Sequence, residues 1–172
     1  MFDKKEGGIS SLKYNGFEYI TRTPKVSFWR AMTDNDTGAS EPYNLAQWYS
    51  AGKFAKYKTV SWLEQEDALK ITFTYQAACV PTFEFTVTYT AHFDGKLGIC
   101  VNYAGVSGMP DMPVLALDFK MKKQLCNFQY YGLGPDENYS DRCKGARLGL
   151  WKSTAKENLS GYLNPQECGN RT

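Results

Sequence analysis

Two acidic clusters are the residues best placed to do chemistry in this chain. One is Asp34 and Asp36 in "FWRAMTDNDTG". The other is Asp136, Glu137 and Asp141 in "GLGPDENYSDR". Paired carboxylates are what glycoside hydrolysis needs, held about 5–10 Å apart across the scissile bond. Each cluster also has an arginine nearby, Arg30 and Arg142. A guanidinium beside a carboxylate favours its ionised form. That suits an ion pair or a group binding a sugar hydroxyl, and it does not suit a general acid, which must keep its proton. The residue types therefore leave two readings, structural pairing and sugar contact. They predict that Arg30 bonds to Asp34 or Asp36 and that Trp29 is buried.

Other routes to catalysis are thin. The one histidine, His92, lies two residues before an Asp-Gly turn, where a hydrogen-bonded surface role is the expectation and a Ser-His or Cys-His pair is not. No P-loop, GxGxxG or GxSxG is present. Cys79, Cys100, Cys126, Cys143 and Cys168 lie far apart without a CxxC. They read as buried or half-buried free thiols in a reducing compartment, with no metal site. The net charge of +2 excludes a nucleic-acid footprint or an anionic membrane surface. Lys120, Lys122 and Lys123 read as a solvated strand end. No stretch has the length of a membrane span. "MFDKKEGGISS" lacks the apolar core of a signal peptide, so the expectation is a cytoplasmic protein. The N-x-[ST] triplets at Asn35, Asn138, Asn158 and Asn170 then read as chance.

The elements that must position these residues are strands. The 172 residues suffice for a core, and 42% are hydrophobic and 15% aromatic. "ALKITFTYQ", "TFEFTVTYT" and "KLGICVNY" alternate apolar with polar residues, and Asp94-Gly95 marks a turn. Val114 to Met121 and Leu125 to Tyr131 read as two more strands, "FEYITR" and "VSFWR" as shorter ones. Tyr43 to Ala51 reads as one or two helical turns with Leu45, Trp48 and Tyr49 on one face. Gly105 to Pro113 reads as a loop. After Asp136 the period is lost, which predicts a long irregular tail packed against a neighbour. The fold class is all-β, an antiparallel sandwich.

Three longer stretches carry a resemblance. "FWRAMTDNDTG" is similar to the FWRAPTDNDxG segment of the C-terminal domain of glycoside hydrolase family 2 β-galactosidases. "YYGLGPDENYSDR" resembles that domain's GLGPxENYxDR motif, and "YLNPQECGNRT" its YxxPQENGNRT motif. "FDKKEGGISSLKYNGFEYI" resembles the segment that begins it. Met32 stands where the family has proline, and Cys168 where it has asparagine. The resemblance implies that residues 1–172 are part of a C-terminal β-supersandwich domain, similar to galactose mutarotase. The implied enzyme hydrolyses terminal β-D-galactosides such as lactose with retention, as a homo-oligomer assisted by Mg2+ and Na+. The catalytic and metal-binding residues would lie in an upstream (β/α)8 barrel, so no catalytic residue and no cofactor is expected here. Trp29, Arg30, Asp34, Asn35, Asp36, Gly132, Gly134, Pro135, Glu137, Asn138, Tyr139, Asp141 and Arg142 would be structural, Gly132 and Gly134 permitting a backbone path and the polar residues satisfying buried backbone groups. The link Ala77 to Pro81, with Cys79, Val80 and Pro81, would border the galactose pocket. A free-standing carbohydrate-binding or mutarotase-like module, and a pure assembly domain, stay open as other readings.

Overall fold

The structure is a computed structural model and describes residues 1–140, 142–164 and 166–169. The chain divides into two compact units, residues 1–31 with 41–121, and residues 32–40 with 122–172.

The first unit is built on a four-stranded antiparallel sheet in the order β6-β7-β8-β9. Its strands are Lys56–Glu64 (β6), Ala68–Gln76 (β7), Glu84–His92 (β8) and Leu97–Tyr103 (β9). The alternation in β7 and β8 dictates their two faces. Ile71, Phe73, Phe85, Val87 and Tyr89 are buried on one. On the other, Thr72 and Thr88 stand opposite each other with their hydroxyls 3.0 Å apart. Asp94 Oδ1 accepts the Lys96 N–H at 3.0 Å and Gly95 takes φ +91°, which makes the β8–β9 turn. Short antiparallel pairs accompany this sheet: Phe2–Asp3 (β1) with Gly8–Ile9 (β2), Lys13–Tyr14 (β3) with Phe17–Glu18 (β4), and Lys25–Ser27 (β5) with Ala116–Asp118 (β10).

The core of this unit is aromatic. Phe28, just after β5, has 0% exposure. Its ring centroid lies 5.1 Å from Phe85, 5.7 Å from Phe83, 5.8 Å from Trp48 and 6.0 Å from Tyr103. Trp48 comes from the helix Glu41–Lys53, labelled α2 below, which buries Leu45, Trp48, Ala51 and Gly52. Gly52 is required there, since a Cβ would stand 2.8 Å from the Val26 carbonyl. Burial holds the Tyr89 phenol up at about 12.

The second unit contains a short helix, Asp34–Gly38 (α1), and a two-stranded sheet of Asn127–Gly134 (β11) and Arg147–Thr154 (β12). Thr33 closes α1 with a capping box. Its N–H donates to Asp36 Oδ2 at 2.8 Å and its hydroxyl accepts from the Asp36 N–H at 3.4 Å.

The all-β, antiparallel reading stands, and several details change. The helix predicted over Tyr43 to Ala51 is longer. The strand predicted from Val114 to Met121 shrinks to Ala116–Asp118, which pairs with β5, and its far end makes only an isolated bridge between Met121 and Ile20. The region predicted to start a strand at Leu125 opens instead with a 3-10 turn, Lys123–Leu125. The irregular tail contains β12, paired with β11 over its whole length. Trp29 is half-buried, with its ring edge-on to Tyr49 at 5.1 Å; the fully buried ring is its neighbour Phe28. Cys79 and Cys143 are half-buried, but Cys100, Cys126 and Cys168 are exposed. Cys100 sits opposite Thr88 on the polar face of the sheet. His92, at the end of β8, lies 3.7 Å from the Asp67 carboxylate.

Removing Phe28 should therefore cost far more than removing Trp29. Phe28→Ala is expected to lower unfolding free energy by about 3–5 kcal/mol, the range for large-to-small changes in a packed core. Trp29→Ala should cost less than half of that. Urea unfolding followed by circular dichroism checks the order, and equal losses would contradict the placement of the core.

Candidate functional site

The second unit gathers the acidic motif and the chain's last stretch into one polar cluster. β11 ends at Gly134, whose missing side chain is required. A Cβ there would press inside van der Waals contact with the Tyr130 hydroxyl and stand 2.8 Å from Trp151 Cδ1. Gly132 meets only ordinary contact at 3.7 Å, and its carbonyl accepts from Trp151 Nε1 at 3.2 Å. The Tyr130 hydroxyl donates to the Pro135 carbonyl at 3.0 Å. The turn is thus clamped by two aromatic side chains that reach its backbone.

Beyond the turn, each polar side chain fixes another piece of chain. Asn138 is 1% exposed, which also rules it out as a glycan acceptor in this fold. Its Nδ2 donates to the Leu133 carbonyl at 3.3 Å and the Asp136 carbonyl at 3.5 Å. Glu137 Oε2 accepts from the Ser160 hydroxyl and from the Gly169 N–H, both at 2.9 Å. Glu137 Oε1 faces the Arg142 guanidinium at 3.6 Å. Arg142 Nη2 donates to the Tyr162 hydroxyl at 3.2 Å, and the guanidinium lies 5.0 Å from the Tyr139 ring centroid. The Tyr139 hydroxyl donates to the Glu167 carbonyl at 2.7 Å. Burial, followed by the Glu167 and Glu137 charges, pushes the Tyr139 phenol up. Asp34, from α1, joins the same tail, with Asn164 Nδ2 donating to its Oδ2 at 3.5 Å. Asn35 lies on α1 beside it. Asp141 lies outside the described residues.

Pro135, Asp136, Glu137, Glu157 and Ser160 line a cleft of about 240 Å³ in this unit. It does not fit the ions that the resemblance implies. Among the described residues no three His, Cys, Asp or Glu side chains stand close enough to hold a metal ion, and Glu137 is already held by two donors and a guanidinium. Chemically, the cluster orients and fixes backbone.

The remaining candidates belong to the first unit. Trp29 and Arg30 line a cleft of about 450 Å³ with Arg22, Lys25, Tyr49 and Lys53. Arg30 Nη1 donates to the Ala31 carbonyl at 3.2 Å. The link between β7 and β8 is an ordered connection. Ala77 N–H donates to the Phe83 carbonyl at 2.9 Å, and the Thr82 hydroxyl to the Ala77 carbonyl at 3.1 Å. Cys79 Sγ bonds to the Pro81 carbonyl at 3.3 Å, and burial pushes its thiol up. Val80 projects from this frame at 83% exposure.

Sequence reasoning singled out both motifs of the polar cluster but did not pair them. Ser160, Tyr162, Asn164 and Gly169 were missed as partners, since most of their bonds run to backbone or across 20 to 130 residues. The excess of hydrogen-bonding residues in both stretches was the only signal.

Comparison with known proteins matches this arrangement to one family. The family model described as "Beta galactosidase small chain" covers residues 1–172. A β-galactosidase from Clostridium acetobutylicum is 46% identical over 154 residues, which is 90% of this chain and 17% of that protein. One from Lactobacillus delbrueckii subsp. bulgaricus is 40% identical over 172 residues, covering all of this chain and 17% of the relative. A β-galactosidase small subunit from Latilactobacillus sakei is 33% identical, covering 98% of this chain and 59% of the subunit. The chain thus spans 17% of the length of the first two, and the match runs from the aromatic core of the first unit through the polar cluster of the second. With a family model covering every residue, the chain belongs to the β-galactosidase small-chain family.

Proposed function

We propose that this chain is a non-catalytic domain of a β-galactosidase. In this reading the full enzyme hydrolyses terminal β-D-galactosides such as lactose with retention. Two carboxylates of a (β/α)8 barrel outside these residues do the chemistry, one as nucleophile and one as acid and base. Mg2+ and Na+ belong to that barrel, and the enzyme is a cytoplasmic homo-oligomer.

The observation that supports this reading is how the motif carboxylates are used. Glu137 is held by Ser160, Gly169 and Arg142, Asp36 closes a helix cap, and Asp34 meets Asn164. A working acid needs a free oxygen facing substrate; Glu137 and Asp36 instead face their own chain, and Asp34 is exposed with one long bond to Asn164. A second support is the surface of β11 and β12. Tyr131, Leu148 and Leu150 share one face and are exposed, as suits contact with another domain of the same enzyme. The free thiols fit a reducing compartment. No helix among the described residues is long and apolar enough to cross a membrane.

The Ala77 to Pro81 link is the second element of the reading, as a border of the galactose pocket. Its bonded frame with one projecting apolar residue suits a rim that shapes access without doing chemistry.

Two measurements test this. The 172-residue chain, assayed with a chromogenic β-galactoside from pH 5 to 8 beside a host extract lacking any galactosidase gene, should give no turnover above that background. In the full-length enzyme, Glu137→Gln should lower stability by about 1–3 kcal/mol, as for a buried group losing its partners, while the shape of the pH–rate profile is kept. Turnover by the chain alone that disappears with Glu137→Gln would overturn the non-catalytic reading. For the rim, Val80→Asp in the full-length enzyme should change kcat/KM for galactosides more than threefold, roughly 0.7 kcal/mol. Unchanged kcat and KM would remove Val80 from the pocket's border.

A further inference from the structure

We infer that Asn15 is a site of spontaneous chemical modification, where the Gly16 backbone nitrogen attacks the Asn15 side chain and water then leaves a carboxyl group in place of its amide. Asn15-Gly16 is the one Asn-Gly pair in the chain. It forms the tip of the β3–β4 hairpin, with φ +48° at Asn15 and +78° at Gly16. Positive φ at both central residues is the pattern of a type I′ turn.

The reacting groups are uncommitted and accessible. Asn15 is exposed. Among the described residues neither its side chain nor the Gly16 N–H makes a hydrogen bond. A Cβ built on Gly16 would meet nothing within 4 Å, so nothing crowds the attacking nitrogen. Ring closure needs rotation about the bond between Asn15 and Gly16, so the turn must open. Opening disturbs little, because β3 and β4 pair over two residues each and expose Tyr14 and Phe17. The base of the hairpin is held separately. Glu18 Oε2 accepts from the Ser11 hydroxyl at 2.5 Å, its Oε1 accepts the Leu12 N–H at 2.8 Å, and the Tyr19 N–H donates to the Leu12 carbonyl at 2.9 Å.

The step balances with water alone. The Gly16 nitrogen bonds to Asn15 Cγ and loses its proton, while the Cγ–Nδ2 bond breaks and Nδ2 leaves as ammonia. Water adds to either carbonyl of the five-membered ring. One opening gives an aspartate at position 15, the other an isoaspartate whose main chain runs through Cγ. Each event adds one negative charge to the hairpin tip.

The fold separates this pair from its nearest chemical relative, Asp94-Gly95, which also ends a hairpin. There the Gly95 N–H donates to the His92 carbonyl at 3.0 Å. Asp94 Oδ1 accepts the Lys96 N–H at 3.0 Å and its Oδ2 accepts from Lys96 Nζ at 2.6 Å. The bond from the Lys96 side chain, with that from its backbone, holds the Asp94 carboxyl below its usual range. An ionised carboxylate has no leaving group to lose, and the attacking nitrogen is already bonded. Every other asparagine precedes a residue with a side chain, which crowds the same attack.

The test is to incubate the folded 172-residue chain at 37 °C between pH 6 and pH 8 and map its peptides by mass spectrometry over days. An isoaspartyl methyltransferase reports the isoaspartate form, including any at Asp94, where the mass does not change. The peptide holding Asn15 should gain about 1 Da at least tenfold faster than any other asparagine peptide. The rate should rise with pH, because the attacking nitrogen must shed its proton. It should stay within tenfold of the rate in urea, since only the hairpin tip opens. Asn15→Gln should remove the signal, as its ring would need six members, and circular dichroism should match wild type. A folded chain that converts Asn15 more than tenfold slower than the unfolded one would show that the turn protects it, and would overturn the inference. Isoaspartate at Asp94 forming as fast as at Asn15 would also overturn it.

Discussion

The Glu137 carboxylate and the Asn138 amide sit where little water can reach them, and the second unit is arranged around that constraint. A buried polar group without partners costs about 1–3 kcal/mol, more when charged. Each must therefore be met by donors or acceptors from the chain itself. Asn138 is met by the carbonyls that precede it, which fixes the turn out of β11. Glu137 is met from further away, by Ser160, Gly169 and Arg142. The chain after β12 has no long apolar face of its own, and it stays in place because Glu137, Tyr139 and Arg142 need what it carries. Removing any one of these side chains leaves its partners unsatisfied as well, so the cluster stands or falls together.

The first unit solves a different problem by a different means. Its sheet has two edge strands and one covered face, so stability must come from what packs on that face. Phe28 does this at a point where β5, α2 and the sheet meet. Trp48, Phe83, Phe85 and Tyr103 approach it at angles from tilted to edge-on, the geometry that aromatic quadrupoles favour. The same packing sets α2 rigidly, and so decides which helical residues face outward. Tyr43 and its polar neighbours are outside because Leu45, Trp48 and Ala51 are inside.

What the sequence made legible follows this division. β7, β8 and β9 could be read because one face of each is apolar and the other polar, and the period survives in the letters. β6 was hard to place because "KYKTVSWLE" is an edge strand with most side chains exposed, Trp62 and Leu63 included. β12 was missed because "RLGLWKST" follows a stretch of glycine and lysine and exposes most of its residues. The cap of α1 was available as a pattern, since Thr33 followed three residues later by Asp36 is the arrangement of a capping box. Trp29 was expected to be buried, and it is only half-buried. The pleat decides, and it turns Phe28 inward. The pairing of the acidic motif with the last stretch could not be read at all, because single polar bonds between residues 20 or more apart leave no periodic trace.

An acidic loop rich in glycine looks the same in sequence whether it works on a substrate or on its own chain. Both uses need carboxylates, a cation nearby and a turn that only small residues permit. The difference lies in what the carboxylate oxygens face. A catalytic pair must leave oxygens free at a fixed separation across a bond, whereas a structural carboxylate is best used when its oxygens are filled by the protein. Glu137 comes nearer the second arrangement: Oε2 takes a hydroxyl and a backbone N–H, while the buried Oε1 has the Arg142 guanidinium at 3.6 Å and no hydrogen bond. Gly134 fits the same logic. Its lack of a side chain admits Tyr130 and Trp151 to the turn, and those rings hold its backbone in place.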